Sequence, residues 1–240
     1  MVNLINSSNS SVFRNLNNVT LKASKLSEQL SSGKRITGFN IDAAGGAIAE
    51  KMRAQFSQYE QEISNYEDNI NRYKTEEGAY TGISENLQEI RKLQVQARND
   101  TLTDEDKQKI QNQIDLQVES MKFIADSAEF NTKKLVKPGE ELSKIFKEGI
   151  SATGEFVDKA LKEVVNTRSE LGAKVNTTEK NIDGRMIAYE NTVAAYSTIA
   201  DMDIAKGMVE KAQNDIMSQV GVYNIKNLMN ISKQSVLNLL

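Results

Sequence analysis

A chain of 240 residues with a formal charge of −3, 39% hydrophobic and 26% charged, has enough apolar content for a core and no basic excess to hold nucleic acid. It contains no Cys and no His, which removes disulfides, thiolate and imidazole metal sites, the commonest general base and the nucleophile pairs that depend on it. A single Pro and 13 Gly over this length predict a few long elements rather than many short strands. No apolar run is long enough to span a bilayer, and the start of the chain has neither the basic residues nor the apolar run of a secretory signal. Neither a membrane partner nor a cofactor is expected.

Along the first segment, Ile5, Val12, Leu16, Val19, Ala23, Leu26 and Leu30 follow steps of 7, 4, 3, 4, 3 and 4. That is the a/d seam of a helix that packs lengthwise on another, and Gly33 marks its stop. Ser32-Gly33-Lys34 resembles the end of a phosphate loop, but Ser27 and Glu28 stand where the upstream glycine would be. Gly45-Gly46 lacks the G-x-G-x-x-G spacing of a dinucleotide fold, and no strand precedes it. Asp42 instead has the position of an N-cap, followed by small residues that would let a neighbour lie close.

The next series runs Ile48, Met52, Phe56, Tyr59, Ile63, Tyr66, Ile70 and Tyr73, then resumes at Tyr80, Ile83, Leu87, Ile90, Leu93 and Ala97. It predicts a helix over about residues 44–98, roughly 80 Å long, which needs partner helices along its length. Tyr59, Tyr66, Tyr73 and Tyr80 recur every seven residues and read as amphipathic fillers of the seam. After a loop at 98–102, Thr103 and Asp106 form a capping-box pair ahead of Ile110, Ile114, Val118, Met121 and Ala125. The period fails around 131–139, where Pro138 sits, and a lysine-rich turn is expected.

The period returns through Val157, Leu161, Val164, Leu171, Val175, Ile182, Met186, Tyr189, Val193, Tyr196 and Ala200. Asp201 and Asp203 mark a new helix start, and the last seam is read as Ala205, Met208, Ala212, Ile216, Val220, Tyr223 and Leu228. The acidic pairs Glu76-Glu77, Asp104-Glu105 and Glu140-Glu141 are solvated faces or helix starts, and no calcium loop can be written through them. The fold class is therefore all-α: a long antiparallel helical bundle with paired terminal helices and little or no β structure. The apolar surface of two terminal helices exceeds what the pair can bury, as expected of an assembly surface.

Ordered motifs then point to a family. Leu30-Ser31-Ser32-Gly33-Lys34-Arg35-Ile36, Asp42-Ala43-Ala44-Gly45 and Ala47-Ile48-Ala49 resemble the amino-terminal signature of bacterial flagellin. Thr75-Glu76-Glu77-Gly78-Ala79, Leu87 to Leu93, Phe130-Asn131, Leu171-Gly172-Ala173, Ile199 to Asp203 and the closing Val236-Leu237 and Leu239-Leu240 continue it in order. The resemblance covers about residues 1–136 and 157–240 and implies a filament subunit without enzymatic activity. Here Ile41 precedes Asp42 where most flagellins have a second Asp, and Asp68-Asn69-Ile70 stands for Asp-Gly-Ile. The span from Lys137 to Phe156 leaves no room for outer β domains, and the usual β-hairpin is not expected. This is the pattern of a minimal flagellin.

What the resemblance implies is specific. Residues 1–35 and 201–240 would be polymerisation helices, 36–44 a connector, and 45–200 a helical rod with a short turn near 131–156. The polymerisation interface would comprise Ile5, Val12, Leu16, Val19, Leu26, Leu30, Ile216, Val220, Tyr223, Leu228, Val236, Leu237, Leu239 and Leu240. Asp42, Ala43, Ala44 and Gly45 would form the joint. Leu87, Gln88, Arg91 and Leu93 match the stretch that a vertebrate innate immune receptor reads, with Glu89 where many relatives have a basic residue. Partners would be further copies of the chain, an export chaperone, the filament cap and hook-junction proteins. Location would be extracellular, reached without a cleaved signal. The alternatives are a hook–filament junction protein, which shares the architecture, or a soluble helical adaptor or scaffold.

Overall fold

The structure, a computed structural model, describes residues 2–151 and 156–237, with side chains from residue 11 onward apart from 156, 232 and 235–237. Among the described residues it is built from six helices and one small hairpin: α1 (Val2–Ser32), α2 (Ala43–Ala97), α3 (Asp104–Ser127), β1 (Glu129–Phe130), β2 (Lys133–Lys134), α4 (Glu140–Glu148), α5 (Phe156–Ala200) and α6 (Ile204–Leu237). The helices begin and end where the chemistry of the termini directs. Gly33 takes a left-handed φ of 69° just past α1, a conformation that costs glycine little. Asp42 accepts from the Gly45 N–H at 2.8 Å ahead of α2, and Asp203 accepts from the Lys206 N–H at 3.0 Å ahead of α6. Thr103 and Asp106 make the reciprocal capping box of α3.

Contacts divide the chain into two compact units, Met1–Gln58 with Tyr189–Leu240, and Tyr59–Ala188. Helices α2 and α5 each contribute to both. The expected borders near 44 and 200 coincide with helix ends, whereas the units divide further along these two helices.

The second unit carries nearly all of the buried core. Ile83, Leu87 and Ile90 of α2, Ile114 and Met121 of α3, Leu142 of α4, and Val164 and Leu171 of α5 have at most 4% of their surface exposed. All five apolar positions expected from the period of α3 are buried. Along α5, Met186 is 47% exposed, contrary to the expected seam, and its neighbour Arg185 is partly covered instead. Arg185 Nε reaches Glu62 at 2.8 Å, and its guanidinium lies 5.5 Å from the Tyr59 ring centre. A cation over an aromatic face and against a carboxylate can occupy a half-buried seam that a flexible thioether leaves.

The stretch expected as a simple turn holds more structure. Asn131 and Thr132 adopt φ of 49° and 65° and close an antiparallel hairpin in which Glu129 pairs with Lys134 and Phe130 with Lys133. A two-residue connection with both residues left-handed matches the twist of a hairpin, so a hairpin fits where none was expected. Helix α4 follows and buries Leu142 and Ile145. Its first turn is held from outside, because the Glu163 carboxylate accepts from the Glu141 N–H at 3.0 Å. This helix is short enough that its period is lost beside the longer elements.

Candidate assembly surface

In the first unit α1 packs along α6. The covered side of α1 is the one its spacing predicts: Leu26 is 5% exposed, and Val12, Leu16, Val19, Ala23 and Leu30 are half-buried. The covered side of α6 is a different one from that expected. Gly207 is buried and Lys211, Asn214, Ser218, Gly221, Ile225 and Leu228 are half-buried, in steps of 4, 3, 4, 3, 4 and 3. Glycine lets the backbones approach: a Cβ added at Gly221 would lie 3.1 Å from Leu16 Cδ1, and one at Gly207 would lie 2.9 Å from Leu30 Cδ2. The signal was present in the sequence as two glycines a double heptad apart, but hydrophobicity alone does not reveal a seam whose first five positions are Gly, Lys, Asn, Ser and Gly.

Apart from Leu228, the apolar residues that the sequence assigned to that seam face solvent. Met208 and Tyr223 are 64% exposed, Ile216 is 60% and Val220 is 53%. Val209, Met217, Val222, Met229 and Ile231 are exposed as well. Ile216 and Val220 also border a groove whose other wall is Val12, Leu16 and Val19. The structure thus brings these five expected interface residues together, with Leu26 and Leu30 inside the pair and Leu228 at its covered edge. Ile5, Val236 and Leu237 lie outside the described side chains, and Leu239 and Leu240 outside the described residues. A run of exposed apolar side chains this long is more than an isolated surface helix ordinarily carries.

At the base of α1 the two ends of the helical region are knitted together. The Arg35 N–H donates to the Ala200 carbonyl at 2.7 Å, and its Nε and Nη2 donate to the Ile199 carbonyl at 3.1 and 2.6 Å. These are orphan carbonyls at the end of α5, the place where a cation is best accommodated. The Met202 N–H donates to the Gly33 carbonyl at 2.9 Å, and Lys34 and Asp201 form an antiparallel bridge. Arg35 Nη1 also reaches Asp42 at 3.4 Å. The Gly45 N–H first and Arg35 second hold the Asp42 carboxyl below its ordinary value. The expected joint residues Asp42 and Gly45 are in this network, Ala43 and Ala44 are exposed beside it, and sequence reasoning missed the part played by Arg35.

Comparison with known proteins decides what this pair of helices is. The model of the bacterial flagellin N-terminal helical region matches residues 4–138, and that of the C-terminal helical region matches residues 155–240. The chain belongs to the bacterial flagellin family. It is 34% identical to a flagellin of Halalkalibacterium halodurans, covering 90% of this chain and 91% of that protein. It is 31% identical to a flagellin of Bacillus subtilis, over 89% and 91% of the two chains. Identity to the flagellar filament 31.3 kDa core protein of Treponema maltophilum is 30%, over 99% of both. No helix is long and apolar enough to cross a membrane among the described residues, and no group of three potential metal ligands occurs among them.

In this flagellin the stretch matching the receptor-read segment is split by the fold. Leu87 is fully buried and Leu93 is 8% exposed, because both pack into the core of the second unit. Neither can touch a partner of the folded unit, which corrects their assignment as contacts. Gln88 and Arg91 are exposed, and Arg91 pairs with Asp158 at 3.1 Å. Glu89 is held by Lys92 at 2.8 Å. Tyr80, last of the heptad tyrosines, is 3% exposed and donates its hydroxyl to the Lys137 carbonyl at 3.0 Å, so burial raises its pKa. Tyr59, Tyr66 and Tyr73 are half-buried seam residues, as their spacing implied.

Proposed function

We propose that this chain is a structural subunit of a bacterial flagellar filament, polymerising through α1 and α6, with motility as its use. The observation that carries the reading is the division of α6: a face mostly of glycine and polar residues, with Ile225 and Leu228 at its far end, meets α1, and Met208, Ile216, Val220 and Tyr223 are exposed. A helix pair that satisfies itself through its small residues keeps its large apolar ones for neighbours. The relatives, among them a protein named as a filament core protein, support the same role. The network of Arg35, Asp42, Gly45 and Ile199 would serve as the joint, because it ties the exits of α1 and α5 to the start of α2.

The family reading extends to an extracellular filament, to export without a cleaved signal, and to an export chaperone, the filament cap and hook-junction proteins as partners. An innate immune receptor could engage only Gln88 and Arg91 of the four expected contacts. Catalysis has no part in this proposal. Deletion of residues 206–240 tests it by electron microscopy under polymerising conditions. The full chain should form filaments and the truncated chain none, while equal filament growth by both would overturn the reading.

A further inference from the structure

A cleft of about 610 Å³ lies in the second unit beside the β1–β2 hairpin. Arg72, Lys133, Lys134, Lys137 and Lys174 line it, and Glu76 is the only carboxylate in its lining. The charges of Arg72, Lys174 and Lys137 all favour the ionised form of Glu76, though none forms an ion pair with it among the described residues. Lys134 is tied to Asp126 and Arg72 lies 4.7 Å over the Tyr73 ring, but Lys133, Lys137 and Lys174 take no ion-pair partner among the described residues. With Lys134 held by Asp126, Glu76 alone faces the four remaining cations, and the cleft is left electropositive.

At the other end of α3 the charge has the opposite sign. Asp100-Thr101-Leu102-Thr103-Asp104-Glu105-Asp106 carries four carboxylates with no cation between them. Asp106 is engaged in the capping box, and Lys109 approaches Glu105 and Asp106. Arg98 and Lys107 flank the turn in sequence, while Asp100 and Asp104 are exposed. The hairpin follows the last residue of α3, and the acidic stretch spans the loop before it and its first turn. The two patches are therefore separated by about 36 Å of helix and cannot meet within one chain. A second copy displaced along α3 would bring them together, and a head-to-tail contact whose rotation does not close generates an open filament.

We propose that the lysine-lined cleft beside the hairpin receives the acidic turn Asp100–Asp106 of a second copy of this chain, forming an ionic contact between successive subunits. The inference rests on the filament reading and names one of its subunit contacts. Opposed rim charges of this type set register and association rate and are weakened by salt.

Two charge-reversed proteins test it, K133E/K137E and D100K/E105K, the second sparing the capping box and Asp104. Circular dichroism confirms that each folds, and sedimentation at low salt gives the critical concentration for polymerisation. Each variant alone should need about tenfold more protein than the wild type, and an equimolar mixture should return to within about twofold, because opposite charges again meet at every contact. Rescue by mixing cannot come from a folding defect. Normal assembly of either single variant, or failure of the mixture to recover, would overturn the proposal. So would normal assembly of K133E/K137E together with lost retention on immobilised heparin, which would give the cleft to a polyanionic glycan. Failure of the wild type itself to polymerise is a separate result, and it would count against the filament reading.

Discussion

Arg35 and Asp42 illustrate how much of this molecule turns on single polar groups at helix ends. The Asp42 carboxylate lies below its ordinary pKa of 3.8, chiefly because the Gly45 N–H favours its charged form. A lowered folded value means that its stabilisation is full above the ordinary value and is lost as pH falls through the folded one. D42A should therefore unfold the first unit at lower temperature near neutral pH, with the gap from wild type closing below pH 3.8. Thermal melts followed by circular dichroism at several pH values check this. Glu76 shifts the other way, since burial raises its pKa, and it offsets part of the acid sensitivity of the whole chain. At Gly45 a Cβ would collide with the Asp42 carboxylate and sit 2.9 Å from Ile36 Cδ1. G45V should cost about 1–3 kcal/mol in the first unit by this overpacking, and reduce filament yield more than it lowers helix content at 25 °C.

At the scale of elements, the two terminal helices differ in how they divide their surfaces. Helix α1 buries its apolar stripe against α6, while α6 turns glycine and polar residues to α1 and presents its apolar residues outward. The prediction is a separation of stability from assembly. I216D/V220D should leave the thermal midpoint of the monomer nearly unchanged but raise the critical concentration for polymerisation tenfold or more, given about 1.5–3 kcal/mol for each large apolar side chain buried. I114A, in the fully buried middle of α3, should do the reverse: a loss of about 2–5 kcal/mol in urea unfolding. If the α6 pair of substitutions unfolds the monomer, these side chains pack within the chain and the division of surfaces is wrong. Glu77 and Arg168 bind α2 to α5 at 2.7 Å, but both are partly exposed and their pair contributes specificity more than stability.

For the whole molecule, the distribution of core between the units matters most. Among the described residues of the first unit only Leu26, Ala49 and Ala200 are buried apolar side chains, whereas the second unit holds a continuous buried cluster. A helix pair with so little buried area is marginal alone in water and gains its stability from neighbours. Hydrogen exchange should show this directly. In the monomer the amides of α1 and α6 should exchange far faster than those of α2 and α3 around Leu87 and Ile114, and in the filament the terminal helices should become protected. Equal protection of both units in the monomer would contradict the picture.

Five of the six helices among the described residues, and the capped starts of three of them, were legible along the chain. Period placed α1, α2, α3, α5 and α6, because a long amphipathic helix must repeat its apolar residues every three or four positions, and Asp42, Thr103 and Asp203 announced the starts by their capping chemistry. It could not disclose which face of α6 would meet α1. One face of that helix keeps strict steps of three and four and is mostly Gly and polar residues, another carries Met, Ile, Val and Tyr at looser spacing, and hydrophobicity selects the second. The burial of Leu87 and Leu93 was legible in the period of α2, against their assignment as receptor contacts, but the period did not disclose that Arg35 closes the end of α5, or that a hairpin and α4 fill the stretch expected to be a turn. These outcomes were decided by tertiary structure. Close approach of two backbones and the satisfaction of orphan carbonyls depend on residues distant in the chain, and period and propensity describe only neighbours along it.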